Sequence, residues 1–466
     1  MYEILIIFIP LFTIPYVSRV LGAENIGLFS YTYAVANYFV LFANLGIKNY
    51  GSRTIAMVRN NKEDLNRIFS EILSVHIVFS IIITFIYLVL LSFGVEDNQN
   101  IFLIQGIYVF AAIFDINWFF FGIEKFKLTV GRNTLVKILS VVLVFVFVKT
   151  QTDLWIYALI LALSVFVGQS VVWFALKQYV SWRRPSWANM KQHIRPLFIL
   201  FLPILALSLY KYMDKIMLGS ISSNVQVGFY ENAEKIINVP MSLIMAFGVV
   251  LMPRIANMVT SKDKGEVFKL IDMSMEAVML LAIAISFGLA GISFVLAPIF
   301  FGYEFEECGI LIMGLAVTVP FMAFANVIRT QYLIPYKEDK IFVVSLFLGA
   351  VVNLIMNIIL IPYMAARGAV IGTIFAEIIV CIYQSYFVRK KIFIKKYLLN
   401  TIPPILIGIV MFVFVFQIGN VMNINIITLI LQLVVGMFIY AVGVFLLMLK
   451  SRTRLMVLLR KFVVRY

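Results

Sequence analysis

Fourteen stretches dominated by apolar residues, 16 to 26 residues long, follow one another along the 466-residue chain. They occupy 2–17, 27–46, 72–94, 101–121, 129–148, 154–176, 197–218, 227–252, 270–294, 308–328, 341–361, 368–388, 401–418 and 425–449. About 20 apolar residues carry a helix across the hydrocarbon of a bilayer. With no water there, each segment must satisfy its own backbone hydrogen bonds, which a helix does. The pattern therefore predicts an all-α polytopic membrane protein with about 14 transmembrane helices.

The polar segments between the runs are not equivalent. Segments 47–71, 122–137, 177–195, 253–269, 329–340, 389–400 and the tail 450–466 together hold 32 of the 38 Lys and Arg residues. The intervening segments hold only Arg19, Lys149 and Arg367; Lys211, Lys215 and Lys235 fall inside runs. Basic residues collect on cytoplasmic loops, so both termini are expected in the cytoplasm. The formal net charge of +15 is then topology plus attraction to an anionic inner leaflet. A soluble nucleic-acid-binding protein would not sort its charge this way. Residues 1–17 lack a basic leader and an A-x-A-like site, so they read as a first span rather than a cleaved signal.

Composition removes other classes. The chain is 63% hydrophobic and 13% charged, and no polar segment is large enough to fold as a domain. No Walker-type phosphate loop, zinc-protease motif or nucleophile elbow occurs, so no catalytic residues, cofactor or metal site are expected. Cys308 and Cys381 read as packing residues, and His76 and His193 are too few for a metal site.

Displaced by 201 residues, the chain partly matches itself. Gly27 lies over Gly228, Asn37 over Asn238, Arg53 over Arg254, Met57 over Met258 and Glu71 over Asp272. Upstream, Leu21-Gly22 matches Leu218-Gly219 with a longer turn. The offset is six helices, an even number, so the copies are parallel. Parallel repeats build two bundles around a central site, with alternating access by rocking one against the other. The expected organisation is an N-terminal six-helix lobe (1–180), a C-terminal six-helix lobe (195–395), two extra transmembrane helices (400–450) and a cytoplasmic basic tail (451–466). A duplication of this kind favours a transporter over a membrane enzyme or a scaffold.

Ionisable residues at bilayer depth cost about 2.5–3.5 kcal/mol each on insertion scales and point to function. Lys211, Asp214 and Lys215 share one helical face, and Glu231, Glu234 and Lys235 repeat the spacing on the next helix. They form either a self-neutralising network or the lining of a wet cavity. Lys211, roughly 12 Å from its span end, is the hardest to explain by snorkelling. Arg19 is either an interfacial anchor or, if the first span bends, a guanidinium presented to the cavity, where its fork suits a phosphate. Asp115, Asn117 and Trp118 cluster near the inner half of the fourth span as further cavity or coupling candidates. Glu377 stands alone in the twelfth. Glu71 and Asp272, near cytoplasmic helix starts, are placed favourably for the helix dipole.

Three segments carry a family resemblance: Ser18-Arg19-Val20-Leu21-Gly22, Trp118-Phe119-Phe120-Phe121-Gly122-Ile123-Glu124-Lys125-Phe126, and Tyr212-Met213-Asp214-Lys215-Ile216-Met217-Leu218-Gly219 with Gly228-Phe229-Tyr230. They resemble the bacterial polysaccharide repeat-unit flippases of the multidrug/oligosaccharidyl-lipid/polysaccharide exporter superfamily. One departure is that Met1 opens almost directly into apolar sequence, where such proteins usually begin with a short basic stretch. The resemblance implies an undecaprenyl-diphosphate-linked oligosaccharide as substrate, carried between leaflets for surface polysaccharide synthesis. It also implies membrane lipids, and possible polymerase and export proteins, as partners. Arg19 matches an arginine that meets the diphosphate in related flippases. The rival readings are a drug or cation antiporter of the same superfamily and a membrane glycosyl polymerase or ligase.

Overall fold

The structure, a computed structural model, describes residues 2–94, 98–260 and 264–450; the expected basic tail, 451–466, lies outside them. Among the described residues all regular structure is helical. The longer elements of the first half are α1 (Tyr2–Asn44), α2 (Ile47–Val58), α3 (Lys62–Gly94), α4 (Gln99–Ala111), α5 (Asn117–Gly122), α6 (Phe126–Phe147), α7 (Leu154–Leu176) and α8 (Trp187–Ile221). The second half contains α9 (Asn224–Thr260), α10 (Lys264–Phe301), α11 (Cys308–Ala316), α12 (Thr318–Ile328), α13 (Asp339–Val388), α14 (Ile394–Val421) and α15 (Ile426–Lys450).

Among the described residues, eleven helical stretches are long and apolar enough to cross a bilayer, and two of these, Ile9–Val58 and Asp339–Val388, run for 50 residues. Neither is a single rod. The backbone leaves helical geometry at Gly22 (φ 77°, ψ 173°) and at Ala365 (φ 48°, ψ −128°). Past the second break, a Cβ on Gly368 would lie 2.6 Å from the Leu360 carbonyl oxygen, and one on Gly372 2.4 Å from Asn357 Oδ1. At 1.5 Å rise per residue such pairs meet only if the chain doubles back. At the first break, the Tyr16 hydroxyl donates to the Val148 carbonyl and Asn25 Nδ2 to the Gln151 carbonyl, so both sides of Gly22 reach the same turn. Dividing both stretches and adding the shorter Gln99–Phe114 accounts for the expected fourteen runs.

Local departures have local causes. The polar segment 47–71, read as a connection, contains α2, whose Ile47, Gly51 and Ile55 form a buried i, i+4, i+8 stripe. The fourth span does not run unbroken from 101 to 121. After a 3₁₀ turn, Asp115 is extended (φ −76°, ψ 97°). Its Oδ1 accepts hydrogen bonds from the Asn117 backbone N–H (3.0 Å) and side chain (2.6 Å), a local alternative to helix continuation.

The chain packs as two compact units, Met1–Gly219 and Ser220–Tyr466. In the first, one core joins Ile47, Ile55, Phe69, Ile72, Trp118, Phe119, Phe120 and Leu197. A second core joins Ala36, Tyr87, Leu91, Phe102 and Val109. Backbones approach closely where side chains are absent, as membrane helix packing requires: a Cβ on Gly46 would sit 2.5 Å from the Leu197 carbonyl oxygen, seating α8 on the α1–α2 junction. In the second unit, α14 packs on α10 through Ile292, Met411 and Val415, and α15 adds Leu429, Ile439 and Tyr440 to the same cluster.

Candidate functional site

Arg19 lies on the first arm of α1, one turn before the Gly22 break, with its side chain exposed beside the buried Ser18. The helix thus continues through Arg19 rather than ending before it. On α8, Asp214 and Lys215 are buried at 4% and 7% exposure, while Lys211 is exposed with its ammonium 5.3 Å from the Tyr212 ring centroid. This segment is fastened within the first unit. A Cβ on Gly219 would be 2.3 Å from the Tyr31 ring, and Tyr38 meets Tyr212 edge to face at 6.1 Å. In the second unit, Glu231 and Lys235 pair at 3.1 Å on successive turns of α9, where Lys235 is one-third exposed. Tyr230 hydrogen-bonds Thr373 on α13 (2.9 Å), tying that face of α9 to the hairpin. The two triplets recognised by spacing therefore belong to different compact units.

The other candidates separate into distinct environments. Trp118 is a core residue: it is 2% exposed, stacks on Phe69 at 5.6 Å, and leaves no room for a side chain at Gly51. Asn117 instead points its Oδ1 to Arg132 Nη2 at 3.0 Å. Arg132 also donates to the Gly168 carbonyl (Nη1, 2.7 Å) and to Asn133 Oδ1 (Nη2, 2.6 Å). A relay Asp115–Asn117–Arg132 results, inside the membrane-spanning part of the first unit. His76, fully buried, lies within the electrostatic reach of Asp115. Sequence reasoning counted Arg132 and Lys137 among the basic residues flanking the fourth run. Both are on α6, about 9 and 17 Å from its start at 1.5 Å per residue. The signal that could have exposed them is their position inside the apolar run 129–148.

Glu377 is not alone. It is buried, and its charge acts on the guanidinium of Arg329. Arg329 opens a π-helical turn after α12, donates to Asn326 Oδ1 (2.6 Å) and lies 5.5 Å from the Phe342 ring centroid. A widened turn of this kind re-aims the residues it carries. Forty-eight residues separate Arg329 from Glu377 along the chain, too far for helical periodicity to relate them.

Glu71 and Asp272 do more than face a helix dipole. Glu71 accepts from Asn189 Nδ2 (2.9 Å) and meets His193 Nε2 (2.9 Å), while Tyr50 meets the other ring nitrogen at 2.7 Å. Asp272 takes Lys396 Nζ at 2.7 Å and the Tyr397 hydroxyl. In each unit, the acid near the start of the third repeat helix fastens the opening turns of the helix that follows the sixth. This is a structural counterpart of the sequence match between Glu71 and Asp272.

A family model described as polysaccharide biosynthesis protein matches residues 1–259. The putative O-antigen transporter of Escherichia coli (strain K12) is 26% identical over 390 residues, covering 82% of this chain and 93% of the relative. Among solved structures, lipid II flippase MurJ in an inward closed conformation superposes with a TM-score of 0.76 at 14% identity, over 95% of this chain and 96% of that one. An inward-facing multidrug resistance MATE family transporter of the MOP superfamily superposes at 0.65 and 14% identity, over 84% and 97% of the two chains. At such identity the likeness establishes the fold. More than half of the sequence answers to one family description, in keeping with the resemblance carried by its motifs: the chain belongs to the polysaccharide biosynthesis protein family.

Proposed function

We propose that this protein is a flippase. It moves undecaprenyl-diphosphate-linked oligosaccharide from the inner to the outer leaflet of the bacterial cytoplasmic membrane by alternating access, for surface polysaccharide synthesis. The observation that carries the reading is the near full-length likeness to an O-antigen transporter, on a fold also found in a lipid II flippase. A diphosphate does not cross hydrocarbon unaided, because desolvating its charges is prohibitive. Cations that replace its hydration are therefore required, and Arg19, Lys211, Lys215 and Lys235 are the ones we assign. Asp214, Glu231, Glu234 and Asp115 are assigned to ion coupling. Transport in vesicles that ignores both proton and sodium gradients would remove that role.

The deciding experiment is a deletion strain analysed by leaflet for lipid-linked oligosaccharide. Accumulation on the cytoplasmic face with loss of surface polymer supports the flippase. Intact polymer without accumulation overturns it. A drug or cation antiporter is favoured by a separate observation, the fold shared with a multidrug transporter. The second unit also holds a cavity of about 440 Å³ lined by Phe287, Phe321, Phe324 and Phe412. A drug-susceptibility panel on the same deletion strain distinguishes the two.

A further inference from the structure

The first unit holds an open-sided cavity of about 460 Å³ that the diphosphate assignments above leave unused. It lies among α1, α4, α6 and α7, in the part of the unit made of candidate membrane spans. Its size falls within the roughly 300–1,000 Å³ typical of small-molecule sites. Three features of its wall specify a ligand.

The first is an uncompensated cation. The charges of Arg132 and Asp115 are joined through Asn117, and the Nε, Nη1 and Nη2 atoms of Arg132 all donate to protein acceptors. Lys137, one and a half turns further along α6, lines the same cavity. Its ammonium makes no ion pair or hydrogen bond among the described residues. At about 17 Å into a helix about 33 Å long, it is too deep to be explained by snorkelling to the surface. A bare ammonium at this depth is expensive, and such a group marks a substrate or ion pathway.

The second feature is an orphaned acceptor. Gln169 lines the cavity, and its Oε1 is buried without a hydrogen-bond donor. A buried acceptor left unmade costs about 1–3 kcal/mol, and rotation of the Gln169 side chain toward the cavity would let this oxygen meet a hydroxyl brought by a ligand. The third is an aromatic wall: Phe29 stacks on Tyr33 at 5.7 Å, and Tyr33 meets Tyr108 edge to face at 5.2 Å. An apolar ring face, a hydroxyl and one negative charge are together the complement of a sugar acid.

We infer that the cavity of the first unit is a sugar subsite selecting a pyranose that bears a carboxylate, with Lys137 receiving the carboxylate, Gln169 a ring hydroxyl, and Phe29, Tyr33 and Tyr108 the ring face. The inference rests on the flippase reading and deepens it, since it predicts an acidic sugar in the transported repeat unit. Arg132 is a positioning residue here, holding α5, α6 and α7 in register around the site.

The test uses the purified full-length protein in nanodiscs with methyl glucuronide and methyl glucoside as probes, read by saturation-transfer NMR titration. Wild type should bind the glucuronide about tenfold or more tightly than the glucoside. Lys137→Met should abolish that preference while leaving glucoside binding unchanged, and Lys137→Arg should retain it. Gln169→Ala should weaken both probes alike. Equal binding of the probes, no binding of either, or a preference that survives in a monodisperse Lys137→Met protein overturns the inference. The leaflet analysis separates its failure from that of the flippase reading. A wholly neutral oligosaccharide trapped on the cytoplasmic face keeps the flippase and removes the acidic-sugar site.

Discussion

Glu71 Oε2 lies 2.9 Å from His193 Nε2, although 122 residues separate them in the chain. Both are buried, and Tyr50, Asn189 and Gln192 complete the cluster. It binds α8 to α3 at the end of the first unit where the two helices begin. Removing the acid leaves the buried His193 ring and the half-buried Asn189 amide without their partner, and a buried polar group is costly unpaired. Glu71→Ala should destabilise the protein on the order of 3 kcal/mol, and Glu71→Gln, which keeps an acceptor, should cost markedly less. Thermal unfolding of the detergent-solubilised variants checks the order; equal midpoints would show that the cluster does not hold α8.

The second unit offers a parallel case. Asp272 receives both Lys396 and Tyr397, but the Lys396 side chain is 48% exposed, and exposed ion pairs contribute little. Lys396→Ala should therefore shift stability by less than about 1 kcal/mol, whereas Tyr397→Phe, which strips the better-buried partner, should cost more. A reversed order in thermal unfolding would contradict this reading of the contact.

Gly51 faces the indole of Trp118 with no intervening space; a Cβ there would come within 2.6 Å of Cε3. The neighbour is a rigid ring, wedged against Phe69 and Phe119. Gly51→Ala should destabilise by about 1–3 kcal/mol through overpacking, and Gly51→Val should eliminate folded protein from the membrane. Fluorescence-detected size exclusion of tagged variants reads both.

Arg19→Ala is expected to abolish surface polysaccharide with protein levels intact. Arg19→Lys should restore only part of it, because an ammonium lacks the guanidinium fork that meets phosphate oxygens in pairs. Normal polysaccharide in the alanine variant, seen on a carbohydrate-stained gel, would exclude Arg19 from the transport site.

Arg132 offers a stricter test of geometry. Its donors reach Gly168, Asn117 and Asn133 in different directions, which three hydrogens on one nitrogen do not reproduce. Arg132→Lys should therefore destabilise nearly as much as Arg132→Met, despite conserving charge. If lysine proves as stable as arginine in thermal unfolding, charge alone matters at this position.

The transmembrane architecture was legible because the bilayer imposes it one segment at a time. Each apolar run must close its own backbone hydrogen bonds, so hydropathy alone counts the helices. That is why the runs 2–17 and 27–46, or 341–361 and 368–388, were separable on sequence even though their helices meet at sharp breaks, at Gly22 and Ala365. The spacing of Lys211, Asp214 and Lys215 was legible for the same reason, since 3.6 residues per turn places them on one face.

Partnerships across helices obey no such local rule. Glu71 with His193 and Asn117 with Arg132 join residues whose meeting depends on which helix faces which. Trp118 shows the converse: a polar-tipped residue in a charged neighbourhood is a core side chain because Gly51 lets α2 close over it. Lys137 reads as one more basic residue near a loop until α6 carries it to the wall of the cavity that Gln169, Tyr33 and Tyr108 also line. The order and number of the spans follow from the local demand that each buried peptide group be bonded, a demand written residue by residue. The identity of the chemical sites follows from side-chain packing between distant segments, and only the assembled helices decide it.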